Sequence, residues 1–269
     1  MHLHSLAFAL VVLPSIFALP ASAQEASTVV VQNPTAVSLA RNSVAVLSGS
    51  VQVSDITLTG TATRRAGSDT QSGTVTLKAV GASSSRIDLS LSDGTFSEIR
   101  SSPNGAPQGQ WLAPSGSYNN MAMHNCFTDA AWFFPALTVL SQTSNPNLSI
   151  TYVGQQTKSG ISVQHLQFAL SSGMQVPDSG DPLVTLSFTD VYLDSSSLLP
   201  VAIAFNTHPD NNALVNIPVE IDFSNYQAVN GVQIPFHIQK FLNGSLLLDM
   251  TIQSASVNSG LAVSAFSSN

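Results

Sequence analysis

The feature that most constrains the fold is an alternation of apolar and polar residues, with a period of two, over the last third of the chain. Successive side chains of a β-strand point to opposite faces of a sheet, so this alternation predicts strands with one buried face. Asn-Gly pairs at 230–231 and 243–244 separate three such strands and predict hairpin turns. The apolar sets are Ile217, Val219, Ile221 and Phe223; Val232, Ile234, Phe236 and Ile238; and Leu246, Leu248, Met250 and Ile252.

The register of this three-stranded meander follows from the parity of its turns. A two-residue turn at the first Asn-Gly pair places Phe223 opposite Ile238, and both belong to the apolar face. The same turn at the second pair would place Ile238 opposite Asp249, which a half-buried sheet does not accept. A three-residue loop with a bulge pairs Ile238 with Met250 instead. We also expect a bulge or an interruption near Pro235, because proline lacks the ladder donor.

Similar alternation occurs upstream of the meander. Residues 101–119 are rich in proline and glycine and are predicted to form a long loop, which in a folded protein is usually functional or mobile. The Asp93-Gly94 pair predicts a further hairpin. The strand-like runs cover residues 75–79, 87–91, 148–153, 161–170, 183–193 and 198–205.

Two segments have helical character. Asn33-Pro34 is a helix-start signal, and it precedes an apolar stripe with spacings of three and four, formed by Val37, Ala40, Val44 and Leu47. The second candidate covers residues 121–142. Its capping pair is Thr128-Asp129, and Pro135 should break or kink it.

The first 23 residues have the organisation of a secretory signal peptide. An apolar run from Leu6 to Leu19 precedes the small-residue motif Ala21-Ser22-Ala23. The run is shorter than the roughly 20 residues that a membrane-spanning helix needs. We therefore expect export to the periplasm or the medium, with residues 24–269 as one mature domain and no stable membrane insertion. The alternative is an N-terminal membrane anchor.

Charged residues are scarce and mostly acidic. They make up 9% of the chain, whereas a typical soluble domain has about 25%. The formal net charge is -7 with only 8 Lys+Arg, so a nucleic-acid-binding protein with a basic face is excluded. A single cysteine excludes an internal disulfide framework and a multi-cysteine zinc site.

The residues that could carry chemistry match no catalytic or metal-binding motif. His124 lies two residues from Cys126, but adjacency in sequence is weak support for a Cys–His nucleophilic pair, and we expect a buried, unreactive thiol. His208 and Asp210 lack the spacing of a zinc-binding helix. We therefore expect no catalytic residue, no metal and no cofactor, and an extracellular hydrolase is disfavoured.

The run Trp132-Phe133-Phe134 within the second helical candidate has two interpretations. It either fills the core against the sheet or forms a lid over an apolar cavity, and aromatic runs more often pack in cores. A curved apolar sheet face and a covering helix can together enclose a ligand. The residues predicted to line such a cavity are Trp132, Phe133, Phe134, Ile221, Phe223, Phe236 and Ile238.

Three segments match a known arrangement of strands. They are residues 186–194 (LSFTDVYLD), 199–203 (LPVAI) and 225–236 (NYQAVNGVQIPF). With the order of short helix, strands, Pro/Gly loop, aromatic helix and further strands, they resemble the LolA-like superfamily of periplasmic lipoprotein carriers. The resemblance spans about residues 35–255 and is most specific over 186–236.

This resemblance implies an α+β fold, in which a strongly curved antiparallel sheet forms an open half-barrel with two or three short helices over its concave face. The rival fold is a β-sandwich with Greek-key connections. The implied function is non-catalytic binding of an apolar ligand, such as an acyl chain or a lipidated protein. The alternative is a structural or adhesive module with a filled core. The family carrier uses an arginine to hold its lid closed, and Arg41 is the one charged residue of the first predicted helix.

Overall fold

Thirteen antiparallel strands form one curved sheet that does not close into a barrel. The structure, a computed structural model, describes residues 30–173 and 180–266, so the predicted signal peptide lies outside the described residues. Helices are α1 (Pro34–Ser48) and α2 (Pro182–Leu186). The strands are β1 (Asp55–Ala66), β2 (Asp69–Val80), β3 (Ser84–Leu91), β4 (Gly94–Ser101), β5 (Gln108–Leu112), β6 (Tyr118–Asn120), β7 (Leu148–Lys158), β8 (Ile161–Leu170), β9 (Thr189–Asp194), β10 (Pro200–Thr207), β11 (Ile217–Val229), β12 (Val232–Leu242) and β13 (Ser245–Val257).

The two edge strands of the sheet, β6 and β7, are consecutive in the chain. The order across the sheet is β6-β5-β4-β3-β2-β1-β13-β12-β11-β10-β9-β8-β7. All other consecutive strands pair as hairpin neighbours, and β1 also pairs with β13 near the middle of the sheet. The predicted fold class, a curved antiparallel sheet with short helices, is confirmed. The described residues form one sheet and not the two stacked sheets of a sandwich.

The C-terminal meander has the predicted register but a misplaced irregularity. Phe223 pairs with Ile238, and Ile238 pairs with Met250. The second loop is the two-residue turn Asn243-Gly244, with φ values of 48° and 75°, so the prediction of a three-residue loop is wrong. Such a turn matches the twist of the strands. The extra residue is Leu247 within β13. A bulge there shifts the register by one residue, so that Ile238 and Met250 pair on the apolar face.

Helix α1 begins at the predicted signal. The Asn33 Oδ1 atom accepts a hydrogen bond from the Ala36 N–H at 3.1 Å, and Pro34 occupies the first turn. Val37 and Val44 of the predicted stripe are only partly buried. The centre of the buried face lies slightly around the helix, at Ala36, Ala40, Ser43 and Leu47. Among residues 30–173 and 180–266, no helix is long and apolar enough to cross a membrane.

Two stretches differ from the sequence prediction because tertiary pairing overrides local composition. The loop predicted over residues 101–119 contains β5 and β6, which pair with β4 and with each other. Gly109 of β5 allows a close approach, since a Cβ atom there would lie 2.8 Å from the Met121 Sδ atom. The strand predicted over residues 183–193 begins instead as helix α2, because Asp181 caps the Leu183 N–H.

Residues 121–147, here called the crossing segment, join the two edge strands across the concave face. Every residue from 128 to 140 is buried. The prediction of a kinked helix is wrong, because the segment consists of 3-10 turns at Met123–Cys126, Pro135–Leu137 and Val139–Gln142. Phe134, just before Pro135, and Thr138 both have extended backbone, and Pro135 lacks a backbone donor, so a continuous helix is interrupted there.

A clasp of hydrogen bonds joins the start of β1 to the residues after β13. The Asp55 carboxylate accepts hydrogen bonds from the Ser259 N–H at 2.7 Å and the Gly260 N–H at 3.0 Å. Burial opposes ionisation of this carboxylate, but the hydrogen bonds outweigh it and lower the pKa of Asp55. These bonds therefore hold the start of β1 next to the end of β13.

Candidate functional site

The seven residues predicted to line a cavity meet in one hydrophobic cluster on the concave face. Trp132 is 2% exposed and Phe223 is 4% exposed. Phe236 is half-buried and packs against the cluster, next to the interruption predicted at Pro235, where β11 and β12 lose one pair. The fully buried members are Phe133, Phe134, Ile221 and Ile238. The aromatic run of the crossing segment thus packs against the meander, with the Trp132 and Phe133 rings edge to face at 5.8 Å.

An open cleft lies where the crossing segment meets β1, β4, β12 and β13. We call it the Trp132 cleft, because Trp132 alone of the seven predicted residues borders it. It has an apolar lobe of about 180 Å³ and a polar lobe of about 260 Å³. Ile87, Leu89, Phe96 and Leu248 border the first lobe, and Arg100, Asn125, Thr128 and His208 border the second. Residues common to both lobes are Glu98, Trp111, Trp132, Lys240 and Leu247.

Charged residues occupy inward positions at this cleft, and the sequence analysis missed them. Lys240 continues the inward parity of Ile238 in β12, and Arg64 continues that of Ala62 in β1. Glu98 of β4 lies opposite a core residue of β3 and borders both lobes. The sequence did contain a signal for them. In an alternating strand, a charged residue two positions after an inward apolar residue must face the core or a cavity.

The cations of the cleft lie over aromatic rings. The Lys240 Nζ atom is 4.4 Å from the centroid of the Trp132 ring, and the Arg64 Cζ atom is 4.6 Å from that of Phe96. In the part of the chain that the structure describes, no carboxylate forms an ion pair with Lys240 or Arg64. Burial lowers the pKa of the Lys240 ammonium, although the nearby charge of Glu98 opposes this shift.

Two side chains bordering the cleft have buried polar atoms with no hydrogen-bond partner among the described residues. They are the Nε1 atom of Trp132 and the Nε2 atom of His208. The His208 Nδ1 atom lies 3.1 Å from the Val215 carbonyl oxygen, which can only accept, so Nδ1 carries the proton. Native proteins satisfy most buried polar atoms, so these two atoms are exceptions in the core beside the cleft.

Arg100 fastens the crossing segment to β4. This arginine is 4% exposed, and its guanidinium donates hydrogen bonds to the carbonyl oxygens of Asn125, Thr128 and Asp129 at 3.2, 2.8 and 3.3 Å. A fourth bond reaches the Thr128 hydroxyl at 3.2 Å. The planar fork of the guanidinium suits this convergent set of acceptors. Arg100 therefore links the floor of the cleft to the segment that covers it.

Two further hydrogen bonds stabilise the crossing segment, one within it and one to α1. The Asp129 carboxyl accepts a hydrogen bond from the Val139 N–H at 3.0 Å. Burial raises the pKa of Asp129 to about 7, although this bond and the charge of Arg100 oppose the shift. Arg41 of α1 donates from Nε to the Thr143 hydroxyl at 3.3 Å, so it ties the helix to the segment from an exposed position.

The Cys126 thiol is buried, as predicted. It is 6% exposed, and burial raises its pKa. The Nε2 atom of His124 contacts the Pro209 carbonyl oxygen at 3.0 Å, and no described contact joins His124 to the thiol. Within residues 30–173 and 180–266, no group of three or more His, Cys, Asp or Glu side chains is arranged to hold a metal ion.

Comparison with solved structures shows that this is the LolA-like fold. A Vibrio parahaemolyticus domain assigned to outer-membrane lipoprotein sorting has a TM-score of 0.54 at 12% identity, over 86% of this chain and 96% of that one. A DUF1329-family protein of Desulfovibrio piger has a TM-score of 0.53 at 11% identity, over 87% and 96% of the chains. A LolA-superfamily protein of Nitrosomonas europaea has 0.52 at 9% identity, over 87% and 97%.

Sequence comparison adds no assignment to this structural one. No family model matches the chain, and no curated protein matches it either. Structural similarity at identities of this size establishes the architecture alone, and the function has to be argued from the site.

Proposed function

We propose that this protein is an exported, non-catalytic binding protein for an apolar ligand, either an acyl chain or the acylated end of a partner protein. The observation that carries this proposal is the Trp132 cleft, an opening between the concave face and the crossing segment. Its apolar lobe is bordered by aliphatic and aromatic side chains of β3, β4 and β13. Concave sites with apolar walls and a few polar groups are typical of small-molecule binding.

Burial of methylene groups supplies the driving force for this binding. Each buried methylene contributes about 0.8 kcal/mol, so even a short stretch of acyl chain is attracted to the lobe. The apolar lobe of about 180 Å³ is smaller than the pockets of roughly 300–1,000 Å³ that hold drug-sized ligands. A longer chain must therefore extend between the crossing segment and the sheet.

The predicted lining residues take part in this extension. Trp132, Phe133, Phe134, Ile221, Phe223 and Ile238 belong to one core cluster and Phe236 packs against it, which supports a shared role in holding the chain. When the crossing segment lifts, an acyl chain replaces the aromatic contacts of the sheet with its own. Arg100 restricts this movement, because its four hydrogen bonds must break or rearrange.

The comparison with the Vibrio parahaemolyticus domain supports an acylated ligand. That protein is assigned to outer-membrane lipoprotein sorting, and it shares this fold over most of both chains. A lipoprotein carries acyl chains, so the same class of ligand suits a cleft with an apolar floor. The predicted export of this chain is compatible with such a role.

A structural or adhesive module without a ligand is the alternative function. One observation favours it, because the predicted lining residues other than Phe236 are at most 4% exposed and already pack together. The two functions differ in whether the crossing segment opens to admit a ligand.

Native mass spectrometry of the purified protein and titration with a fluorescent fatty-acid probe distinguish the two. Leu89→Trp should fill the apolar lobe and weaken probe binding, since Leu89 borders that lobe. Ser90→Trp introduces the same side chain on the exposed face of β3 and should leave binding unchanged. A delipidated wild-type protein that binds no probe and carries no lipid mass would establish the structural module instead.

A further inference from the structure

Basic side chains are concentrated at the Trp132 cleft of an otherwise acidic chain. The chain has 8 Lys+Arg and a formal net charge of -7, yet Arg64, Arg100 and Lys240 all border this cleft. Glu98 is the carboxylate that borders both lobes, and Asp210 lies at the exposed end of the polar lobe. Three cations and two carboxylates thus border the cleft, and an excess of one sign between low-dielectric walls attracts ligands of the opposite sign.

None of these three cations forms an ion pair with a carboxylate of residues 30–173 or 180–266. Arg100 donates its hydrogen bonds to three backbone oxygens and one hydroxyl. Lys240 and Arg64 lie over the rings of Trp132 and Phe96, and the charge of Glu98 acts on Lys240 without forming an ion pair. A buried or half-buried cation without a counter-ion is costly to desolvate, and a bound anion would offset that cost.

We infer that the Trp132 cleft recognises a single-chain amphiphile whose head group is an oxyanion, a carboxylate or a phosphate. The head group lies beside Lys240 and Arg64, and the chain occupies the apolar lobe over Ile87 and Leu89. This inference rests on the proposed function, because it requires an apolar chain to enter the cleft, and it adds the chemistry of the polar end.

The donors at the cleft favour an oxyanion over other head groups. Lys240 and Arg64 have only donors and no acceptor, and the Trp132 Nε1–H is a further donor without a partner. Bonds from ionised donors to an oxyanion are roughly twice as strong as bonds between neutral groups. A cationic head group would be repelled by Lys240 and Arg64, and a neutral alcohol would leave Glu98 as the one carboxylate shared by both lobes to balance them.

The test uses the two tryptophans of the chain, Trp111 and Trp132, because both border the cleft and report occupancy by their fluorescence. The mature protein is titrated with dodecanoate, dodecyl phosphate, dodecanol and dodecyltrimethylammonium, all below their micelle concentrations. We expect at least one of the two oxyanions to bind about tenfold or more tightly than dodecanol, and the cation to bind most weakly. The ranking of dodecanoate against dodecyl phosphate identifies the oxyanion.

Three variants separate head-group recognition from folding. Lys240→Met should remove the preference for oxyanions while dodecanol binding persists. Glu98→Gln should increase oxyanion affinity, a gain that misfolding does not produce. Lys78→Met makes the same charge change on β2 away from the cleft and should behave like wild type.

The outcomes also separate this inference from the proposed function. Equal binding of all four amphiphiles, or a preference for the cation, would overturn the head-group inference and leave the apolar binding function intact. Absence of binding by every amphiphile would overturn both. An oxyanion preference that survives in Lys240→Met would also contradict the assignment of the head group to this lysine.

Discussion

Replacing Arg100 by methionine should release the crossing segment from β4 without unfolding the sheet. Methionine keeps an unbranched apolar stem but removes the four hydrogen bonds that the guanidinium donates to residues 125–129. The acceptors are buried or half-buried, so they lose partners that water does not readily replace. The effect should therefore be confined to the segment that Arg100 fastens.

The magnitude follows from the number of bonds lost. A net contribution of about 1 kcal/mol for each hydrogen bond gives a loss of about 4 kcal/mol in the free energy that keeps the segment closed. The bonds share one guanidinium and are not independent, so this sum marks the scale only. Because each 1.4 kcal/mol is about a factor of ten, the opening equilibrium of the segment should shift by roughly a thousandfold.

Hydrogen exchange followed by mass spectrometry measures this opening. Peptides from residues 121–147 should exchange much faster in Arg100→Met, while peptides from the β11–β12 hairpin, residues 217–242, should keep their wild-type protection. Arg41→Met provides the matched control, because it removes a single part-buried hydrogen bond to the same segment, at Thr143. Its effect should be below about 1 kcal/mol.

Two results would refute the reasoning about Arg100. Unchanged protection of residues 121–147 would show that the apolar packing of the segment holds it without the guanidinium. Equal acceleration in the crossing segment and the hairpin would show that Arg100 supports the whole fold and not the segment alone.

Three further perturbations test the core, the buried carboxyl and the thiol. Ile238→Asp places a charge at a fully buried position and should unfold the protein, whereas Thr251→Asp, on the exposed face of the next strand, should melt within a few degrees of wild type; equal melting curves by circular dichroism would contradict the face assignment. Asp129 has a pKa raised to about 7 from 3.8, so the folded protein holds a proton that the unfolded chain releases. Its contribution is present below about pH 4 and is lost as the pH rises through 7, by up to about 4 kcal/mol. The free energy of unfolding of Asp129→Asn, measured in urea, should therefore rise relative to that of wild type between pH 4.5 and pH 7.5. Parallel pH profiles of the two proteins would argue against the raised pKa. Cys126 should react with maleimide only in denaturant, and rapid labelling of the folded protein would overturn its buried placement.

The strands and their register were the predictable part of this fold. A period of two and the Asn-Gly turns determine that Phe223 and Ile238 face the core together. The position of the bulge was not predictable, because a three-residue loop and a tight turn followed by a bulge at Leu247 give the same downstream parity. Local sequence favours the tight turn, and the parity of the buried face forces the correction further along the strand.

The crossing segment and the cleft charges show different limits of sequence reasoning. The apolar run around Trp132 was recognised as packing against or covering the sheet, but its 3-10 turns were not, because an apolar run around a proline does not distinguish a kinked helix from short turns. The inward charge of Lys240 was readable, since it continues the apolar parity of β12. The position of Arg64 at the same cleft was not readable, because β1 lies beside β12 only when β13 pairs between them.

The pairing of β1 with β13 imposes an order on how the chain folds. Hairpins such as β11–β12 form between neighbours, whereas contacts such as Ile56 with Val257 must close almost the whole described chain into a loop. We therefore expect the β1–β6 and β7–β13 halves to pair first, and the seam with its Asp55 clasp to close late. Until then each half exposes a long central strand edge, which is the form in which an incompletely folded chain is most exposed to aggregation.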